Sequence, residues 1–252
     1  MVAAGLLRYS WMPPALTMPR VGPPFELQVP LSPKIVSVAL WVAAVLGAAG
    51  IAAALAAARR GRPLPIRTLL VAAAVGVVSL VVLPPVGSTD VLDYAIFGHI
   101  AALGRSPYVM TPLQYQHLMQ LRSGVPTDWD KDPSVYGPLA TLEQLAAAKL
   151  SGASLARTAF WLKLWNGIAF AAVAVAADRL LRGDRAARLR AHLLWTVNPL
   201  VIWSGIAAAH LDILAAAAGL AGLLILDRQL IRQPVRAALV AGICVGAAAD
   251  AL

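Results

Sequence analysis

Apolar residues in this chain come in long blocks, with the polar residues confined between them. Residues 35–58 and 68–86 carry no charge at all. Residues 158–177, 191–206 and 211–226 are nearly as apolar, and a further block begins at Ala237 and runs to Leu252. About 20 apolar residues in a helix cross the hydrocarbon core of a bilayer. The pattern therefore predicts five spans and a sixth, 237–252, that is short and incomplete. Pro84-Pro85 ends the second block, and Asn198-Pro199 interrupts the fourth, where proline frees a carbonyl and bends a helix. Residues 1–34 hold seven prolines and are expected to form an irregular tail.

Composition sharpens this picture. The 252 residues are 60% hydrophobic and 13% charged, with a mean hydropathy of +0.73. A soluble domain of this size has no interior for so much apolar surface. The formal charge is +9, which in a soluble protein would suggest nucleic acid. Here twelve arginines fall in three segments, 59–67, 179–190 and 228–236, each between apolar blocks. The positive-inside rule accounts for them and places those loops in the cytoplasm, so no nucleic-acid partner is expected. The long polar loop 87–157 and the turn 207–210 then face the extracytoplasmic side. Cys244 is the single cysteine, so the chain forms no internal disulfide. The expected fold is an all-α polytopic membrane protein. Its parts are a tail (1–34), two transmembrane helices (35–86), an extracytoplasmic loop (87–157) and about four further spans (158–252). The abrupt end in the sixth block is expected of a portion of a longer protein.

Candidate chemistry concentrates where the second block ends. Ser88-Thr89-Asp90-Val91-Leu92-Asp93-Tyr94 puts two carboxylates at the membrane edge. Leu92, Ala95, Ile96, Ile100 and Leu103 have helical spacing, which predicts an amphipathic surface helix ended by Gly104. Asp90 and Tyr94 share one face of it. Asp90 reads first as the N-cap of this helix, with Asp93 in its first turn, and, without excluding that, as a base for a substrate anchored in lipid. The run Asp128-Trp129-Asp130-Lys131-Asp132 reads as a cation ligand set or, more simply, as a solvated turn. Trp129 and Tyr136 suit either sugar stacking or interfacial anchoring. Lys163, inside the third block, is expected to snorkel to the interface. A second polar cluster is formed by Asn198, His210 and Asp212. Asp212 reads as a cap or a site residue, and His210 as a phosphate ligand or a solvated loop residue.

Ser88-Thr89-Asp90-Val91, Tyr94, Gly98, Gly104-Arg105-Ser106-Pro107-Tyr108, Tyr136-Gly137-Pro138-Leu139, Asn198-Pro199-Leu200, His210 and Asp212 follow one another in a familiar order. In this order the chain, from about Thr68 to Leu252, resembles the actinobacterial polyprenol-phosphate-mannose-dependent α-1,6-mannosyltransferases. These are membrane glycosyltransferases of the GT-C class that build lipomannan and lipoarabinomannan. The resemblance implies a GT-C-like helical bundle in the plasma membrane, its site facing the extracytoplasmic side. It implies Asp90 as catalytic carboxylate, with Asp93 second. Tyr94, His99, Arg105, Tyr108, Tyr136, Asn198, His210 and Asp212 become candidate substrate contacts. The family's His-Asn-Asp signature reads His210-Leu211-Asp212 here, and its members have more spans than this chain.

The implied reaction is a single inverting displacement on mannose β-linked to a polyprenyl phosphate, with a lipid-linked glycan as acceptor. Arg105 and His210 are candidates to stabilise the leaving phosphate. No cofactor or metal is implied. The other readings are a transporter or lipid-handling protein, for which internal repeats and midplane charges would be expected, and a structural subunit.

Overall fold

The computed structural model describes residues 22–25, 32–62, 64–121 and 129–229, with six positions between 239 and 246. Most of the predicted tail and of the sixth block, and Asp128 of the acidic run, lie outside these residues. Among the described residues every regular element is a helix.

α1 (Pro33–Arg59) starts with proline at its first turn and with the Ser32 hydroxyl accepting the Ile35 N–H. α2 (Ile66–Val82) stops where Leu83 turns extended ahead of Pro84-Pro85. The polar segment that follows folds into α3 (Asp90–Ala102), α4 (Pro112–Leu118) and α5 (Pro138–Ser151). α6 (Leu155–Leu180) begins at Ser154, whose hydroxyl accepts the Arg157 N–H. α1 and α6 are long and apolar enough to cross a membrane, and α2 is a shorter apolar helix.

The predicted fourth span is not one helix. The chain there makes α7 (Arg185–Leu194), the single turn α8 (Pro199–Ile202) and a π-helical turn, Trp203–Ala207. α9 (Asp212–Gln229) then leaves at a bend of 110°. Pro199 has no N–H to continue α7 and holds Asn198 extended. Asn198 instead starts the next turn, its side-chain oxygen accepting the Leu200 N–H at 3.0 Å. Taken together, 199–207 and 212–224 supply a third candidate crossing, as a broken span or a re-entrant loop.

α3 is not the surface helix that its spacing predicts. Val91, Leu92, Ala95, Ile96 and Ile100 are at most 1% exposed, and Asp93, Tyr94, Phe97 and His99 are buried on the other faces. The helix is wrapped by α5 and α6. Gly98 makes this possible, because a Cβ there would lie 2.2 Å from the Gln144 carbonyl oxygen of α5. Gly104, at φ +72°, does end the helix, in the left-handed conformation that glycine adopts without strain.

Lys163 does not snorkel. It is 0% exposed, and its Nζ donates to the carbonyls of Leu83 at 2.7 Å and Pro84 at 3.3 Å. These lie just past α2, where carbonyls at a helix end have no helical N–H to accept. One turn along α6, Asn166 Nδ2 donates to the carbonyls of Gly205 and His210, both at 2.9 Å. The Val86 N–H donates to the Ala207 carbonyl at 2.8 Å and joins the two held segments to each other. At the far end of α2, about 25 Å away for a helix of this length, the arginine-rich loops 59–67 and 179–190 come together.

Gly98→Ala should force α3 and α5 apart and cost roughly 1–3 kcal/mol, read as a lowered Tm in detergent. Gly50→Ala, whose added Cβ meets nothing within 4 Å, serves as the control and should leave the Tm unlowered.

Glu143 of α5 supplies a pH-dependent test. Both of its carboxylate oxygens are buried with no hydrogen-bond partner among the described residues, and burial pushes its carboxyl up to about 8. The folded protein therefore holds this proton at neutral pH, while the unfolded chain releases it in the ordinary carboxylate range. The stability that the protonated group contributes is complete at acid pH and declines as pH rises towards 8. Burial lowers the His99 pKa, which acts in the opposite direction, so the variant and the parent must be compared at each pH. Glu143→Gln should flatten the fall in Tm between pH 5 and 8 relative to the parent chain.

Candidate functional site

The candidate site forms where α3 begins, and its geometry tests the reading of Asp90 as the helix cap. The Ser88 hydroxyl accepts the Asp90 N–H at 3.1 Å, and Thr89 occupies the N-cap position without a side-chain cap bond. Asp90 is thus the first residue of the helix and its carboxylate does not cap it. Instead Oδ2 lies 3.3 Å from Nδ1 of His210, the two side chains being 23% and 28% exposed. Both are screened from bulk water yet open to a ligand.

The partner is delivered by the broken span. His210 follows Ala209, which sits at φ +61°. Its N–H donates to the Ser204 carbonyl at 3.1 Å, and its carbonyl accepts from Asn166. Asp212 then opens α9. Beside this pair the hydroxyls of Tyr94 and Tyr136 are 3.0 Å apart, with their rings edge to face. Burial, and then the bond to Tyr136, hold the Tyr94 phenol above its ordinary value, and the charges of Asp90 and Asp212 push the same way. Burial likewise raises Tyr136, against the effect of its bond to Tyr94. Both phenols stay protonated at neutral pH, so the pair keeps one O–H to donate to a ligand.

A cavity of about 260 Å³ opens on this cluster, lined by Asp90, Asp93, Tyr94, Phe97, Trp129 and Tyr136 among others. Asp93 is 2% exposed at its inner wall. Asp132, from the predicted acidic turn, also reaches the cavity. Among the described residues no three His, Cys, Asp or Glu side chains are grouped to hold a metal ion.

The fold gathers Asp90, Asp93, Tyr94, Tyr136, His210 and Asp212 from the predicted set. It places the others elsewhere. His99 is buried with Nε2 at 2.9 Å from the Thr158 hydroxyl. Tyr108 pairs with the Thr141 hydroxyl at 2.8 Å on the exposed side. Asn198 caps α8 and donates to the Leu194 carbonyl at 2.9 Å. Arg105 is exposed beyond the far end of α3, ~20 Å along the helix from Asp90. Sequence reasoning missed Phe97 and Asn166. Asn166 left one signal, since it lies three residues from Lys163 in an otherwise apolar helix.

Apolar helices that can cross a membrane, with a carboxylate and imidazole cluster at one end of them, define a helical membrane protein with a polar site. Its family is shown by comparison. The chain belongs to the alpha-(1->6)-mannopyranosyltransferase family, whose N-terminal domain model matches residues 1–252. It is 31% identical over 148 residues to a probable alpha-(1->6)-mannopyranosyltransferase of Mycolicibacterium smegmatis, covering 58% of this chain and 26% of that protein. It is 29% identical over 134 residues to an alpha-(1->6)-mannopyranosyltransferase of Mycobacterium tuberculosis, covering 52% and 22%. The chain thus spans about a quarter of the length of the curated relatives it matches. No solved structure matches it.

Gly87 sets the approach to Asp90 and gives a direct test. It sits at φ +101°, and a Cβ there would lie 2.1 Å from the Trp203 indole nitrogen. Gly87→Ala should cost at least the roughly 1–2 kcal/mol of a left-handed backbone, measured as a lowered Tm, with the steric conflict adding to it.

Proposed function

We propose that this chain forms the N-terminal portion of an inverting membrane mannosyltransferase. The donor is polyprenyl-phosphate mannose, and the acceptor is the growing α-1,6-mannan of lipomannan and lipoarabinomannan. The observation that carries this reading is the Asp90–His210 pair, with Asp90 in the wall of a cavity a few residues past the end of an apolar helix. A polyprenyl tail in the bilayer would bring its phosphate and sugar to that depth. The arginine-rich loops at the opposite end support a multi-pass arrangement in the plasma membrane with the site on the extracytoplasmic side.

In this mechanism the Asp90 carboxylate takes the proton of the acceptor hydroxyl as that oxygen attacks the anomeric carbon. The bond to the phosphate oxygen breaks on the opposite face, so the β-linked donor gives an α-linked product. With its proton on Nδ1, His210 donates to Asp90 and leaves Nε2 to accept from a sugar hydroxyl. The spare O–H of the Tyr94–Tyr136 pair donates to charge developing on the leaving group. Arg105 is too far along α3 to share that role. Trp129 and Tyr136 offer faces for a sugar ring. Holding both substrates in one cavity contributes rate by orientation.

Transfer from radiolabelled polyprenyl-phosphate mannose would be measured in membranes holding equal amounts of parent, Asp90→Asn and Asp93→Asn proteins. Each would be expressed in the longest reading frame that contains this chain. Asp90→Asn should lower the rate by about 10²–10⁴-fold, the usual worth of a general base, and Asp93→Asn by much less. Parent-like transfer by Asp90→Asn would remove it as the base.

A further inference from the structure

The arginine-rich end of the bundle holds a cavity that the proposed reaction does not use. It measures about 610 Å³ and lies between the α1–α2 and α6–α7 loops, with Arg62, Arg182, Arg185 and Arg188 in its walls. A hollow of about 460 Å³ lies beside it between α2 and α6, lined by apolar residues such as Leu70, Val78, Ala174 and Val175 and, towards Arg182, by Asp178, Arg179 and His192. Arg182 lines both. The arginine-lined cavity and the groove therefore adjoin at Arg182.

The carboxylates at this junction are already engaged. Asp178 accepts from Arg188 Nε at 2.6 Å, and His192 Nε2 lies 3.0 Å from the same oxygen. Asp184 caps α7, accepting the N–H groups of Ala186 and Ala187 at 2.9 Å. Among the described residues no ion pair neutralises Arg62, Arg182 or Arg185. Guanidinium groups match phosphate oxygens with paired N–H donors. The groove walls include Val78 and Val175, which are exposed and suit a hydrocarbon chain.

We propose that this end of the protein binds an anionic phospholipid. Its phosphate lies among Arg62, Arg182 and Arg185, and one acyl chain runs along the groove between α2 and α6. The site is about 25 Å from Asp90 along α2 and is separate from any site for the glycosyl donor. A lipid bound here would bridge two helices whose other ends are joined through Lys163.

The test uses the purified chain in a neutral detergent, with native mass spectrometry and Tm as readouts. The probes are phosphatidylglycerol, phosphatidylcholine and inorganic phosphate. Phosphatidylglycerol should remain bound and raise the Tm, while phosphatidylcholine and phosphate at equal concentration should not. The double variant Arg182→Gln/Arg185→Gln should weaken phosphatidylglycerol binding at least tenfold. Ala174→Trp, which fills the groove and keeps every arginine, should do the same. Each variant's Tm without lipid reports its folding. An equal response to phosphatidylcholine, or undiminished phosphatidylglycerol binding by a folded variant of either kind, overturns the proposal. An equal effect of inorganic phosphate assigns the arginines to a free anion and overturns the lipid reading.

Discussion

The arrangement depends on one buried amine. Lys163 lies wholly inside an apolar helix and gives its N–H groups to the carbonyls that end α2. Leaving those carbonyls or that amine without partners in a low-dielectric interior would cost far more than an ordinary hydrogen bond is worth. The end of α2 is therefore fixed against α6, and Asp90 follows a few residues later. Asn166 applies the same constraint to the other half of the site, through the carbonyls of Gly205 and His210. Two polar side chains one turn apart thus set the separation of Asp90 and His210, although neither belongs to the cavity.

Burial of α3 follows from that anchoring. Once its start is fixed beside α6, the helix is enclosed by α5 and α6, and Gly98 admits the α5 backbone. The helix carries apolar residues on every side, so enclosure suits it better than a membrane surface. Asp90 at its start stays partly accessible, while Asp93 is buried in the cavity wall. The two carboxylates are three residues apart but meet different environments. The tyrosine pair adds protonated hydroxyls to a site otherwise rich in carboxylates.

The opposite end of the same helices is built for different chemistry. Arginines from two loops gather there, and the nearby aspartates are occupied within the protein. Family membership rests on the whole chain and assigns neither end a role. The arginine end is a feature of the geometry alone.

Several features were legible in the sequence because they depend on local order. The apolar blocks yielded α1, α2 and α6, since a helix satisfies its own backbone groups within one segment. Gly104 ended α3 as its conformational freedom predicts. The family resemblance rested on motif order and agrees with the family found by comparison. Other features were decided between segments. Spacing could not show that the Asp90 N–H goes to Ser88 and its carboxylate to an imidazole 120 residues away. Nor could hydropathy show that 191–206 breaks, that Lys163 turns inward, or that His99, Tyr108 and Asn198 find other partners. The sequence by itself determined which segments are apolar helices and which residues carry ionisable groups. Tertiary structure decided which of those groups meet, because buried polar atoms take partners wherever packing brings them, whatever their distance along the chain.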